Sequence, residues 1–257
     1  MKFIGIIPAR FASTRFPGKP LIDIHGKSMI QRVYEQAKKS KKLAAVFVAT
    51  DDKRIEAHVK KFGGNVIMTS PKHKSGTDRC AEAVKKIQST IAFDVVINIQ
   101  GDEPFIKPQQ IDLLCSCFKS KEVGIATLVK KINGVEELLN HSTPKVIVNK
   151  NKQAIYFSRT PVPFYRGVDH PKEWLQKHTY FKHIGIYGYR KEVLMKLSRL
   201  KPSSLELTES LEQLRWIENG YKIGVAVTAL ESVAIDTPGD LSMVMSKGNI
   251  TSLQKSN

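Results

Sequence analysis

Cysteine is scarce in this chain: Cys80, Cys115 and Cys117 are the only three in 257 residues, with no repeated C-x-x-C spacing. That excludes a disulfide framework or a zinc finger, and the three read as reduced thiols in helical patterns. Long apolar runs are missing too, since none approaches the roughly eighteen residues that span a bilayer. The opening run Phe3 to Ile7 is too short for a signal peptide and is interrupted by Pro8 and Arg10. The expected location is therefore the cytoplasm, with no membrane partner. Both common glycine-rich phosphate loops, G-x-x-x-x-G-K-[ST] and G-x-G-x-x-G, are absent, so any phosphate must be met mainly by cationic side chains. Negative charge is in deficit: 24 Asp and Glu stand against 41 Lys and Arg, leaving +17. The lysines are scattered in pairs such as Lys38-Lys39 and Lys60-Lys61, and aromatics make up only 8%. Without a basic stripe interleaved with aromatics, the charge speaks for an acidic small ligand and against a nucleic-acid-binding module.

What the chain does have is alternation of strand and helix patterns. Phe3 to Ile7 reads as a buried strand that Pro8 ends. Ser28 and Gln31 form a capping box ahead of the helical stripe Met29, Ile30, Val33, Tyr34 and Ala37. Strands follow at Ala44 to Ala49, Val66 to Met68 and Asp94 to Ile99, with helices between them carrying Ile55, Val59 and Phe62, then Ala81, Val84 and Ile87. This order predicts an α/β fold, a parallel sheet covered by helices on both faces. The second half is less regular: strands at Ile125 to Ile132, Lys145 to Val148, Ala154 to Phe157, His183 to Tyr189 and Ile223 to Ala229, a helix from about Thr208 to Glu218, and another starting near Pro238. With no linker or repeat, residues 1–257 read as one domain, with an extension around 140–180 suited to substrate binding or dimerisation.

Three constellations carry chemistry. The loop after the first strand places Arg10, Arg15 and Lys19 close together, with Pro17, Gly18 and Pro20 restricting it. Cations at the carboxyl end of a first strand lie where open α/β sheets bind ligands, and a nucleoside triphosphate fits both charge and place. Asp102 follows the strand ending at Ile99, within Gln100-Gly101-Asp102-Glu103-Pro104. Alone it reads equally as a turn carboxylate or a ligand for a hard divalent cation, which wants one or two carboxylates plus substrate phosphates. Asp236 precedes Pro238 at a helix start and alone reads as an N-cap. Two such acids facing a cationic loop favour metal-assisted phosphoryl chemistry. Further candidates are the turn His73-Lys74-Ser75-Gly76-Thr77-Asp78-Arg79 at a helix N-terminus, Arg159 after a strand, and His183, Gly185 and Tyr187 on one face of an alternating strand.

Taken in order, the segments IPARFASTRFPGKPL, VATDD, HKSGTDR, NIQGDEP, YFSR, HIGIYGYR, LEQLR and AIDTPGDL resemble the 3-deoxy-manno-octulosonate cytidylyltransferase (CMP-Kdo synthetase) family. That resemblance implies a three-layer α/β/α sandwich of the nucleotide-diphosphosugar transferase type, with a mostly parallel central sheet, and usually a homodimer. It implies transfer of CMP from CTP to 3-deoxy-D-manno-octulosonate (Kdo), releasing pyrophosphate, for lipopolysaccharide synthesis. The related acidic sugars 8-amino-Kdo and sialic acid are the alternative acceptors. Carried over by position, Ala9, Arg10, Arg15, Lys19, Ser75, Gly76 and Arg79 would bind CTP, and Asp102 and Asp236 would hold Mg²⁺. Gln100, Arg159, His183, Tyr187 and Glu212 would line the sugar pocket. Arg10, Lys19, Asp102 and Asp236 would form the catalytic set.

Overall fold

A computed structural model of the chain describes residues 1–12, 16–231 and 233–246. Its first half runs β1 (Phe3–Ala9), a short hairpin of β2 (Asp23–Ile24) and β3 (Lys27–Ser28), α1 (Met29–Lys38), β4 (Leu43–Thr50), α2 (Lys53–Lys61), β5 (Val66–Met68), α3 (Gly76–Ile87), β6 (Val95–Asn98) and α4 (Pro108–Ser116). Then follow β7 (Ile125–Lys131), α5 (Val135–Leu139), β8 (Lys145–Val148), β9 (Ala154–Ser158), α6 (Pro171–Lys177), β10 (Phe181–Arg190), α7 (Lys191–Leu197), α8 (Ser204–Glu209), α9 (Glu212–Glu218), β11 (Ile223–Val227) and α10 (Pro238–Ser246).

The central sheet has the order β11-β7-β10-β6-β1-β4-β5, with β8 and β9 added beyond β10. Along that path only β10 runs antiparallel to its neighbours, so the sheet is mostly parallel. Alternation along β1 sends Ile4 and Ile6 to one face and Phe3 and Ile7 to the other. Cys80, Val84 and Ile87 of α3, Leu194 of α7 and Leu214 of α9 cover the first face. Ile30 and Val33 of α1, Val59 of α2 and Ile111 and Leu114 of α4 cover the second, which makes the α/β/α sandwich.

The chain adds β4 and β5 to one side of β1 and then crosses to put β6 on the other. The carboxyl ends of β1 and β6 therefore flank the point where strand order reverses, the place where such sheets open a crevice. The extension at 140–180 comprises β8, β9 and α6, with β8 hydrogen-bonded to both β9 and β10.

Three local expectations are corrected. Pro8 does not end β1; pairing continues to Ala9 against β4, because the β6 ladder stops at Ile6–Asn98 and leaves Pro8 on a local edge, where its missing N–H is tolerated. Only half of the capping box at α1 forms. Ser28 Oγ accepts from Gln31 N at 3.2 Å, while the Gln31 side chain turns along the helix to Glu35 at 2.9 Å. The single helix expected from Thr208 to Glu218 is two, α8 and α9, broken where Ser210 takes a left-handed φ of 52°.

Candidate active site

The crevice between the ends of β1 and β6 is a cavity of about 240 Å³. Pro8, Ala9 and Arg10 contribute from the end of β1, and Lys19 and Pro20 from the loop after it. His73 to Gly76 and Arg79 come from the start of α3, and Gln100, Gly101 and Asp102 from the turn after β6. Of the residues expected to bind CTP, Ala9, Arg10, Lys19, Ser75, Gly76 and Arg79 all line this one space. Arg15 lies outside the described residues.

Loop geometry puts Lys19 there. Gly18 adopts a left-handed φ of 72°, and its N–H donates to Phe11 O at 3.0 Å, closing the loop back on the end of β1. Lys19 opens a single 3-10 turn, Lys19–Leu21. Its ammonium donates to Asp102 Oδ2 at 2.8 Å and to Asp236 Oδ1 at 3.0 Å. Residues separated by as many as 217 positions thus meet at one nitrogen. The acid-bearing segments are also joined through their backbones, Ile235 N donating to Asp102 O at 2.9 Å.

Capping of α10 falls to other residues than Asp236. Thr237 Oγ1 accepts from Asp240 N at 3.2 Å, and the Asp240 carboxylate returns to Thr237 N at 2.8 Å and Asp236 N at 3.0 Å. Burial alone would raise the Asp240 carboxyl. These hydrogen bonds outweigh it, and with the Lys19 charge they hold the group below its usual range.

On the far wall, Ser75 caps α3, its Oγ accepting from Asp78 N at 3.1 Å. Gly76 leaves the wall thin, because a Cβ there would stand 3.3 Å from Pro8 Cγ. Arg79 is buried and held by Thr69 Oγ1 at 2.6 Å and Asp51 Oδ2 at 3.3 Å, which fixes its guanidinium at the edge of the cavity.

The residues expected to line a sugar pocket separate into three places. Gln100 lines the cavity and packs near Gly185. His183, Tyr187 and Glu212 cluster around the start of α9: the His183 and Tyr187 rings lie 5.1 Å apart, and Tyr187 is buried against Trp216. A bulge in β10 between Ile184 and Tyr187 lets Thr127 bond His183 Nε2 at 3.0 Å. Burial drives the His183 pKa down to about 3, so the ring is neutral across the working range. Glu212 opens α9 and accepts from Thr77 Oγ1 at 3.0 Å; burial pushes its carboxyl up, against the hydroxyls of Ser75 and Thr77. Arg159 stands apart from the cavity lining, and its guanidinium donates to the backbone oxygens of Glu209 at 2.6 Å, His141 at 3.0 Å and Ser210 at 3.3 Å.

Sequence reasoning passed over His73, Lys74, Thr69 and Asp51. His73 and Lys74 lie within HKSGTDR, read only for its hydroxyls and glycine, although a cation and an imidazole beside an anion site were signal enough. His73 Nε2 meets the Glu82 carboxylate. Burial would raise that carboxyl, but bonds from Lys86, Ser70 N and His73 bring its pKa down to about 2. Asp51 and Thr69 act only through the buried Arg79, which no local pattern reveals.

Residues 4–223 match the cytidylyltransferase family. The 3-deoxy-manno-octulosonate cytidylyltransferase of Cytophaga hutchinsonii is 56% identical over 244 residues, 95% of this chain and 96% of the relative. The enzyme of that name from Bacteroides thetaiotaomicron is 58% identical over 244 residues, 94% of this chain and 96% of the relative. A solved structure of CMP:2-keto-3-deoxy-manno-octonic acid synthetase complexed with CTP superposes with a TM-score of 0.87 at 43% identity, covering 96% of this chain and 98% of that one. A cytidylyltransferase structure from Leptospira borgpetersenii, at TM-score 0.62 and 19% identity, shares the fold.

Proposed function

This chain belongs to the 3-deoxy-manno-octulosonate cytidylyltransferase family, and we infer that it joins CTP and Kdo to give CMP-Kdo and pyrophosphate, the activated sugar acid of lipopolysaccharide synthesis. The observation that carries the chemistry is the Lys19 ammonium held between Asp102 and Asp236 at the edge of the cavity.

The two acids fit a hard divalent cation such as Mg²⁺. Their oxygens already converge on a cation, and among the described residues no group of three or more His, Cys, Asp or Glu forms an all-protein cage. Mg²⁺ is ordinarily held by one or two carboxylates completed by substrate phosphates and water, which is what this pair offers. The chemistry it supplies when bound is neutralisation of the α-phosphate and easier ionisation of the attacking hydroxyl.

Lys19 stands beside the cavity, where a bound triphosphate would give its ammonium a further anion to bind. With Arg10 it takes up the charge that grows on pyrophosphate as the anomeric 2-hydroxyl of Kdo attacks the α-phosphorus in line. No side chain is needed as a nucleophile. The Cys115 thiol is buried and pushed up to about 12, and Cys80 is buried on the core face of α3. Arg79 and the capped turn at Ser75 and Gly76 support the cytidine side. Gln100, His183, Tyr187, Glu212 and Arg159 support the sugar side, with Arg159 anchoring the backbone there. A cytoplasmic homodimer belongs to this reading; no helix among the described residues is long and apolar enough to cross a membrane.

A pyrophosphate-release screen of CTP, UTP and ATP against Kdo, 8-amino-Kdo and sialic acid, with and without Mg²⁺, tests the reading. Release confined to CTP with Kdo and dependent on Mg²⁺ is expected. Release with sialic acid but not Kdo, or equal release after chelation, contradicts it.

A further inference from the structure

The N-terminal turn of α3 serves two sites at once. Its outer side, Ser75 and Gly76, forms the wall of the nucleotide cavity. Its inner side, Thr77, is 2% exposed and meets the start of α9. There the Thr77 hydroxyl donates to Glu212 Oε2 at 3.0 Å, across 135 positions of sequence. The half-buried Glu212 carboxylate lies near Tyr187, Tyr189 and the Ser75 and Thr77 hydroxyls. Arg215, one turn along α9, is committed to Glu206 at 2.7 Å. The carboxylate takes hydrogen bonds from the Thr77 and Ser75 hydroxyls, so losing one of these donors loosens its placement.

We propose that Thr77 is a positioning residue for the acceptor sugar: it holds the Glu212 carboxylate in the sugar pocket, and it ties that hold to the turn that receives the nucleotide. The proposal rests on the reading of Glu212 as a sugar-pocket residue.

Thr77→Val keeps the size and branching of the side chain and removes only the hydroxyl, whereas Thr77→Ser keeps the hydroxyl. Steady-state kinetics of both, with Glu212→Gln and the Thr77→Val/Glu212→Gln double variant, form the test. Thr77→Val is expected to raise KM for Kdo about tenfold while KM for CTP stays within about twofold. Thr77→Ser restores the wild-type value, and Thr77→Val adds little on top of Glu212→Gln, as expected for two residues acting as one unit. Equal rises in both KM values, a Thr77→Ser variant as impaired as Thr77→Val, or additive effects in the double variant overturn the proposal. Should Thr77→Val fail to fold, Thr77→Ser and Glu212→Gln decide alone: a normal KM for Kdo in Glu212→Gln overturns it. A wild-type chain that does not turn over Kdo at all overturns the functional reading instead, before any variant is compared.

Discussion

Lys19 is the residue on which the site turns, since one nitrogen accounts for two carboxylates that lie far apart in the chain. Lys19→Ala or Asp102→Asn is expected to slow pyrophosphate release by on the order of a thousandfold, a loss of several kcal/mol of transition-state stabilisation. Near-normal turnover in either variant contradicts the assigned roles. Glu82 gives a pH prediction of definite sign. Its carboxyl is held at about 2 in the folded chain, below the ordinary 4.5, so its contribution to stability is full at neutral pH and lost as pH falls between those values. Thermal melts of wild type and Glu82→Gln should therefore differ at pH 7 and converge as pH falls through that window; a constant difference contradicts it. At this scale much was legible in sequence. Arg10, Lys19, Gln100 and Asp102 stand beside strand ends, and short motifs mark them. Arg159 was not legible as an anchor, because its three carbonyl partners belong to segments brought together only by folding.

Among the elements, the turn after β6 is held closely against the backbone of β1. Gly101 leaves no room for a side chain: an added Cβ would stand 2.9 Å from the Pro8 carbonyl, an atom of the rigid central strand β1. Gly101→Ala is expected to move Asp102 off Lys19, lowering activity at least about a hundredfold together with a lower melting temperature. Wild-type activity in that variant would mean the turn tolerates displacement. The parallel half of the sheet was readable from continuous apolar runs such as Phe3 to Ile7 and the one within Asp94 to Ile99, because strands buried on both faces need no alternation. The break between α8 and α9 was not. Ser210 is neither Gly nor Asn, the residues that usually announce a left-handed position, and its turn is secured from outside by the Arg159 contacts to Glu209 O and Ser210 O. The helices α5, α6 and α7 went unread for a related reason: each is seven residues or fewer, too short for a helical period to show.

Across the whole molecule, the +17 net charge and the topology act together. The sheet's reversal point sets the cavity between β1 and β6, and the general positive field draws an anion of high charge toward it. Raising ionic strength about tenfold is expected to raise KM for CTP several-fold with little change in kcat, since screening weakens the long-range attraction and leaves bound contacts largely intact. A KM for CTP that does not change with salt would mean the surplus charge plays no part in capture. A crystal structure of the chain with CTP and Mg²⁺ decides whether the cationic loop and the two distant acids converge on one triphosphate. The Lys19 ammonium is expected on the triphosphate, with Asp102 and Asp236 on the metal. Lys19 still seated between the two carboxylates, with the triphosphate bound elsewhere, would contradict that convergence.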